Sequence, residues 1–194
     1  MVGFLFKKSG TILPCNGRPR RRGLDVLYID VTLKRDEEIY LMLSSDRHHD
    51  HPAQRSELEI RHLELARERN AIILDLGDFC DAMQGKGDPR ASYSGLAHQY
   101  KRNDYFDSLV SRAVERYAPY AGNFAMLAMG NHEQSVLQHY GTSLTDRIAA
   151  ALRERGSQCA SMPYAGWVRL PSTPASRVSA RSRFATRMGA AQAQ

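Results

Sequence analysis

Three apolar segments that each run straight into a cluster of polar residues constrain this chain more than any other feature. They span residues 39–43, 71–76 and 123–129 and consist almost entirely of apolar residues. Continuous apolar runs of this length are typical of strands that are covered on both faces. Apolar residues at helical spacing predict helices elsewhere, over residues 56–70, 106–117, 133–140 and 144–152. Strands that alternate with helices predict an α/β fold.

Weaker patterns complete the predicted secondary structure. Apolar and polar residues alternate over residues 27–33, which indicates a half-buried strand, and residues 167–170 indicate a last one. Ser56 is followed three residues later by Glu59, which predicts that the Ser56 side chain caps the first helix. Residues 82–103 contain several glycines and a proline and are predicted to form a long loop.

The composition fits one domain with a short extension at each end. Of 194 residues, 25% are charged and 42% hydrophobic, an ordinary globular balance that excludes a wholly disordered chain. Residues 25–170 are predicted to form the domain. Residues 1–24 are expected to be an irregular basic lead-in, and residues 171–194 a disordered tail rich in Arg, Ala and Ser.

Cysteine content, apolar runs and net charge indicate the cellular compartment and the kinds of partner to expect. The chain has three cysteines and no Cys-x-x-Cys pair, so a disulfide framework is not expected and a reducing, cytoplasmic setting is predicted. No apolar run is long enough to cross a bilayer, so no membrane partner is expected. The net charge of +6 is concentrated in arginines near the two ends and is by itself a weak indication of nucleic-acid binding.

The three polar clusters carry metal-ligand chemistry. Each begins where an apolar segment ends, and their candidate ligands are Asp46 and His48, then Asp78, then Asn131 and His132. Because the carboxyl ends of parallel strands meet at one edge of a sheet, we expect the clusters to lie together. Carboxylate, imidazole and amide groups bind divalent metals such as Mn²⁺, Fe²⁺ or Zn²⁺. Taken singly, the clusters also fit a polar loop, a Gly-Asp turn and a helix cap, but together they predict a metal site.

The order of these motifs resembles the opening series of the calcineurin-like metallophosphoesterases. Residues 46–48 have the form Asp-x-His, residues 77–81 the form Gly-Asp-x-x-Asp, and residues 130–133 read Gly-Asn-His-Glu. The resemblance covers residues 39–133, and the surrounding sequence looks like a phage- or prophage-type branch. It implies a fold of two packed sheets flanked by helices. It also implies a hydrolase, a phosphatase or phosphodiesterase, that cleaves a phosphate mono- or diester by attack of a metal-bound hydroxide.

The resemblance implies a role for each ligand-type residue. Asp46 and His48 would bind one metal ion, Asp78 would bridge two ions, and Asn131 would bind the second. His132 would be the catalytic residue, facing the scissile phosphate and protonating the leaving oxygen. The cofactors implied are two divalent metal ions, with manganese the first choice and iron, zinc or nickel as alternatives.

Neighbouring residues are expected to support the site. Asp81 is predicted to anchor the loop or to support the ligands rather than to bind metal directly. Glu133 is expected to orient His132 or to favour the start of the following helix. Arg47 either contacts a substrate phosphate or faces solvent, and His49 is predicted to lie in a solvated loop.

The sequence departs from the family pattern after the third motif. The family continues with a lone histidine and ends in Gly-His-x-His, whereas His139 is the only histidine after His132 here, and no Gly-His-x-His occurs. The second metal site is therefore expected to be weak. The sandwich is expected to lack its C-terminal strands, leaving apolar surface for a partner chain or an oligomer to cover.

Two other functions compete with a phosphoesterase. One is a catalytically inactive, truncated remnant that binds phosphate or nucleic acid through its arginines. The other is an incomplete enzyme that needs a partner chain to supply the missing ligands. If the chain is an enzyme, its substrate could be a phosphodiester, a nucleotide, a nucleic acid or a phosphoprotein, and the shared motifs do not choose among these.

Overall fold

The computed structural model describes residues 2–5, 25–29, 31–33, 39–82, 95–170 and 172–174. In these ranges the helices are α1 (Ser56–Glu68), α2 (Tyr105–Tyr117), α3 (Asn131–Tyr140) and α4 (Leu144–Arg153). The strands are β1 (Val2–Leu5), β2 (Val26–Tyr28), β3 (Val31–Leu33), β4 (Leu41–Ser44), β5 (Ile72–Asp75), β6 (Phe124–Ala128), β7 (Ala160–Met162), β8 (Trp167–Arg169) and β9 (Ser172–Pro174).

A mainly parallel sheet forms the centre of the fold. Its strand order is β1-β4-β5-β6-β7, in which β4 to β7 are parallel neighbours and β1 lies antiparallel to β4. Two short parallel pairs, β2 with β8 and β3 with β9, accompany it. Parallel strands joined by helices confirm the predicted α/β fold class.

The three strands that precede the polar clusters end at the same level. Ser44 of β4 lies opposite Asp75 of β5, and Asp75 lies opposite Leu127 of β6. Both β5 and β6 are buried along their whole length, as their continuous apolar sequences predict. The loops that follow therefore leave the sheet from one edge, as expected for parallel neighbours.

Apolar side chains cover both faces of the sheet. On one face, Leu63 of α1, Leu109 of α2 and Ile148 of α4 belong to the same buried core as side chains of the sheet. On the other face, Leu27 of β2 and Val168 of β8 share a second core with the sheet. The sheet is thus packed between helices on one face and the β2–β8 pair on the other.

Two strands lie outside the boundaries predicted for the domain. Residues 2–5, assigned to the irregular lead-in, form β1 at the edge of the main sheet, and residues 172–174, assigned to the disordered tail, form β9. Both are stabilised by strands far away in sequence, so local composition did not reveal them. The remainder of both predicted segments, residues 6–24 and 175–194, lies outside the described residues.

Three local predictions also differ from the structure. The single strand predicted over residues 27–33 is two strands, β2 and β3, which pair with different partners. Strand β7 was not predicted, because Ala160–Met162 is too short and too mixed to give a pattern. The capping box at Ser56 is wrong, since Arg55 is the residue before α1 and the Ser56 hydroxyl bonds to Gln54 instead.

In the part of the chain that the structure describes, no helix combines the length and the apolar character needed to cross a membrane.

Candidate metal centre

Backbone hydrogen bonds tie the loop after β4 to the loop after β5. The Asp46 amide donates to the Gly77 carbonyl at 3.1 Å, and the Arg47 amide donates to the Asp78 carbonyl at 2.8 Å. These bonds satisfy backbone groups beyond the ends of the two strands. They also place the first and second motifs side by side.

Two glycines let the second and third motifs touch. A β-carbon on Gly77 would lie 2.2 Å from the Gly130 nitrogen, and one on Gly130 would lie 2.1 Å from Asp78 Oδ1. Gly77 also has a φ of +104°, a conformation that side-chain-bearing residues rarely adopt. The Gly-Asp and Gly-Asn pairs in the sequence therefore reflect a close approach of two backbones.

His48, Asp81 and His132 bring their side chains together at this edge. One ligand atom of each lies within 4.8 Å of the other two. His48 Nδ1 is 2.6 Å from Asp81 Oδ1, and the two imidazole rings meet edge to face with centroids 5.3 Å apart. All three residues are partly exposed, so a small ion can reach them. This cluster can hold one divalent metal ion.

The geometry of His48 supports that assignment. Its Nδ1 atom is buried, and among the described residues it has no aligned hydrogen-bond partner. Asp81 Oδ1 is close enough but lies off the direction in which the ring nitrogen would donate. Two ligand atoms that converge without forming a well-aligned hydrogen bond suit a shared metal ion.

The electrostatics of His48 and Asp81 agree with this arrangement. Contact with the Asp81 carboxylate raises the pKa of His48, although burial opposes the charged imidazole. Burial works against ionisation of Asp81 as well, but the His48 contact outweighs it and lowers the pKa of Asp81. Both shifts favour the charged forms of the two side chains, and a metal ion would compete with a proton for His48.

Asp81 also orients His132 through its backbone. The His132 Nδ1 atom lies 2.6 Å from the Asp81 carbonyl oxygen. Because a carbonyl only accepts hydrogen bonds, the ring must donate from Nδ1. In the neutral ring the lone pair is then on Nε2, which is the atom available to a metal ion or a substrate.

The other predicted ligands lie at the same edge but are not part of the converging group. Asp78 is largely buried, and its Oδ1 accepts the His132 backbone amide at 3.1 Å. Asp46 is exposed and accepts a hydrogen bond from the Ser45 hydroxyl at 2.5 Å. Asn131 is exposed at the start of α3. For Asp46 and Asp78 to join these ligands, their carboxylates would have to reorient.

Asp81 lies in the converging group itself, rather than only behind it as predicted. It was expected to anchor the loop or support the ligands, but its carboxylate is one of the three groups that converge. The loop is anchored instead by Asp50, which is fully buried and accepts the amides of Asp81 at 2.6 Å and Ala82 at 3.1 Å. Tyr105 donates its hydroxyl to the same carboxylate. The sequence carried no signal that separates Asp50 from the polar residues around it.

Glu133 ties the second and third motifs together. It is 1% exposed and accepts the amides of Gly130 at 2.8 Å, Asp78 at 3.0 Å and Cys80 at 3.3 Å. Burial raises its pKa to about 7, and the nearby Asp78 charge adds to that effect. The bond from Gly130 caps the start of α3, which is one of the two roles predicted for Glu133.

Arg47 and His49 are buried rather than exposed to solvent. The Arg47 side chain is 5% exposed and pairs with Asp75 at 2.9 Å and Glu59 at 3.1 Å. His49 is 3% exposed, and its Nε2 lies 2.8 Å from Glu59 Oε1. The predictions that His49 is solvated and that Arg47 faces solvent are therefore wrong, whereas the alternative that Arg47 contacts a substrate phosphate stays a prediction. Paired charges lower the cost of this burial.

A cavity of about 580 Å³ opens onto the candidate metal centre. Asp46, His48 and Asp81 form its wall at the sheet edge, and residues of α1, including Leu58 and His62, form the opposite wall. The cavity is large enough for a ligand much bigger than a metal ion. A bound substrate could therefore reach His48 and Asp81 from this side.

The donor set fits a catalytic type of metal site. Two imidazoles and one carboxylate suit a divalent transition metal and leave coordination positions open. Fold and site together define an α/β protein with a candidate metal centre at the carboxyl edge of its sheet. The chain matches no protein-family model, no curated protein and no solved structure.

Proposed function

We propose that this chain is a metal-dependent phosphoesterase of the calcineurin-like type, which hydrolyses phosphate mono- or diesters. The observation that carries the proposal is the convergence of His48, Asp81 and His132 from motifs whose order resembles that family. A packed five-stranded sheet with the β2–β8 pair on one face is compatible with the two-sheet sandwich of the family.

Two divalent metal ions, with manganese the first choice, would supply an activated water and neutralise charge on the phosphoryl oxygens. Asp46, His48 and Asp81 would hold one of them. Asp78 and Asn131 would hold the other. His132, fixed by the Asp81 carbonyl, would present Nε2 to the phosphoester and, in its doubly protonated form, would give the Nε2 proton to the leaving oxygen while keeping the Nδ1 proton.

Hydrolysis of bis(4-nitrophenyl) phosphate and 4-nitrophenyl phosphate by the purified full chain tests the proposal. Activity should require Mn²⁺ and be abolished by a chelator. We expect Asp81→Asn to weaken Mn²⁺ binding, and His132→Ala to lower kcat by roughly 100-fold or more, the scale of a lost general acid. His139→Ala is the matched control, because His139 lies exposed on the same helix as His132. We expect it to leave kcat and Mn²⁺ binding unchanged.

The outcomes separate the competing functions. A folded chain that binds Mn²⁺ but hydrolyses neither ester would contradict the proposal. Salt-sensitive binding of nucleic acid by that inactive chain would favour the alternative of a remnant that binds phosphate or nucleic acid. Equal loss of activity in His132→Ala and His139→Ala would show that the assigned catalytic histidine is wrong.

A further inference from the structure

Glu59 of α1 is the centre of a buried polar network behind the first motif. Its Oε1 accepts hydrogen bonds from Arg47 at 3.1 Å and His49 at 2.8 Å. Its Oε2 accepts from Gln54 at 3.1 Å and Arg116 of α2 at 2.8 Å. Glu59 is only 8% exposed, so its charge is balanced by these groups rather than by water.

The network holds the segment between β4 and α1 that carries the first motif. Three of the carboxylate's five hydrogen-bond partners lie in this segment, which we call the motif loop, residues 45–55, and the other two, Arg116 and Tyr117, lie on α2. Arg47 also pairs with Asp75 at the end of β5, at 2.9 Å. The motif loop is therefore fixed to α1, α2 and β5 from its inner side.

Over residues 46–49 of the motif loop, inward and outward side chains alternate. Arg47 and His49 point into the network, whereas His48 between them reaches the candidate metal centre and Asp46 stays exposed. Asp46 and His48 have φ angles of +55° and +46°, in the left-handed region that costs non-glycine residues free energy. Bonds to Glu59 on either side of His48 can maintain this backbone conformation.

We propose that Glu59 is a positioning residue, which holds the motif loop in the conformation that presents His48 and Asp46 to the metal. The inference rests on the proposed function only in assigning a metal to this site. Glu59 contacts no member of the converging group itself and acts through Arg47 and His49. Partners that orient metal ligands in this way commonly change metal affinity by 10- to 100-fold when they are replaced.

The test compares Glu59→Gln with Glu64→Gln in the full chain. Glu64 is the matched control, because it lies on the same helix but bonds to Tyr120 and Arg67, away from the motif loop. Amide hydrogen exchange of residues 45–55 without metal reports on the loop. Mn²⁺ titration calorimetry and the absorption spectrum of the Co²⁺-loaded protein report on the ligands.

We expect Glu59→Gln to speed exchange in the motif loop, to weaken Mn²⁺ binding by about 10-fold and to change the Co²⁺ spectrum. Glu64→Gln should leave all three unchanged. A folded Glu59→Gln protein with wild-type exchange, affinity and spectrum would overturn the inference.

A second variant covers the case in which Glu59→Gln does not fold. Arg116→Gln removes a partner whose side chain is 23% exposed, at the outer end of the network. It should speed exchange in the motif loop to a smaller extent, and wild-type exchange there would overturn the inference. If the wild-type protein binds no Mn²⁺, the proposed function is wrong. Hydrogen exchange of the motif loop still tests, independently of metal, whether Glu59 holds the loop.

Discussion

Strained backbone is concentrated at single residues of the candidate metal centre. Asp46, His48 and Asp78 all have positive φ, at +55°, +46° and +54°. Aspartate and histidine tolerate this region better than most residues, but it still costs about 1–3 kcal/mol at each position. The surrounding bonds must compensate, and Asp50, Glu59 and Glu133 provide them from buried positions.

Replacing Gly130 by alanine should damage the site at its tightest contact. The new β-carbon would lie 2.1 Å from Asp78 Oδ1, so either the carboxylate or the two loops must move. We expect a loss of about 1–3 kcal/mol in the free energy of unfolding, the usual range for overpacking, together with weaker Mn²⁺ binding. Urea denaturation and calorimetry measure the two effects.

Gly122→Ala is the control for this substitution. A β-carbon on Gly122 would meet nothing within 4 Å, so stability and Mn²⁺ affinity should stay close to wild type. Equal losses of stability and Mn²⁺ affinity in the two variants would show that the close contact between Gly130 and Asp78 is not the cause.

At the scale of elements, α1 and α2 are joined to the motif loop by charge as well as by apolar packing. Burial opposes ionisation of Glu59, but the hydrogen bond and charge of His49, with Arg47 and Arg116, lower its pKa to about 2. The ordinary value is 4.5, so folding favours the ionised form. This stabilisation is present above about pH 4.5 and is lost as the pH falls toward about 2.

The difference in stability between wild type and Glu59→Gln should therefore depend on pH. We expect the difference to be largest near neutral pH, at a few kcal/mol, since each pKa unit is worth about 1.4 kcal/mol. It should shrink as the pH falls from about 4.5 toward about 2, because protonation removes the same charge from wild type. Urea denaturation across this range measures it, and a difference independent of pH would contradict the prediction.

The central strands should dominate the stability of the sheet. Leu127 of β6 is 1% exposed within the core between the sheet and the helices. We expect Leu127→Ala to cost about 2–5 kcal/mol through the cavity it leaves.

Leu137→Ala is the matched control for the core substitution. Leu137 is 38% exposed on α3, so its loss should change the free energy of unfolding by less than about 0.5 kcal/mol. Chemical denaturation measures the free energy of unfolding of both variants. Similar losses in the two would contradict the prediction that Leu127 contributes more to stability than Leu137.

For the whole molecule, the candidate metal centre lies where separate parts of the chain meet. His48 follows β4, Asp81 follows β5, and His132 lies at the start of α3 after β6. An ion held by His48 and Asp81 would link the loops after β4 and β5 and favour the folded state over the unfolded chain, where these groups are far apart.

Metal should therefore stabilise the protein against heat. At a free Mn²⁺ concentration of 100 times Kd, binding to the folded state alone adds about 2.7 kcal/mol to the free energy of unfolding. We expect Mn²⁺ to raise Tm, a chelator to reverse the increase, and His48→Ala to abolish it. An unchanged Tm in wild type would contradict a metal site that bridges these loops.

Local sequence patterns predicted much of the architecture. The apolar segments gave β4, β5 and β6, and helical spacing gave α1 to α4, in each case within a few residues of the observed bounds. The same patterns missed β1, β7 and β9, because these short strands depend on partners elsewhere in the chain. Burial is encoded locally, whereas strand pairing at the edges is not.

By itself, the sequence determined the α/β class and the edge of the sheet at which ligand-type residues gather, because apolar runs specify buried strands and parallel strands send their loops to one edge. Only the tertiary structure decided which side chains meet there. It brought Asp81 to His48 and His132, turned Arg47 and His49 inward to Glu59, and assigned the loop anchor to Asp50. The physical reason is that a charged group is placed by distant partners that balance its charge, and no local spacing records those partners.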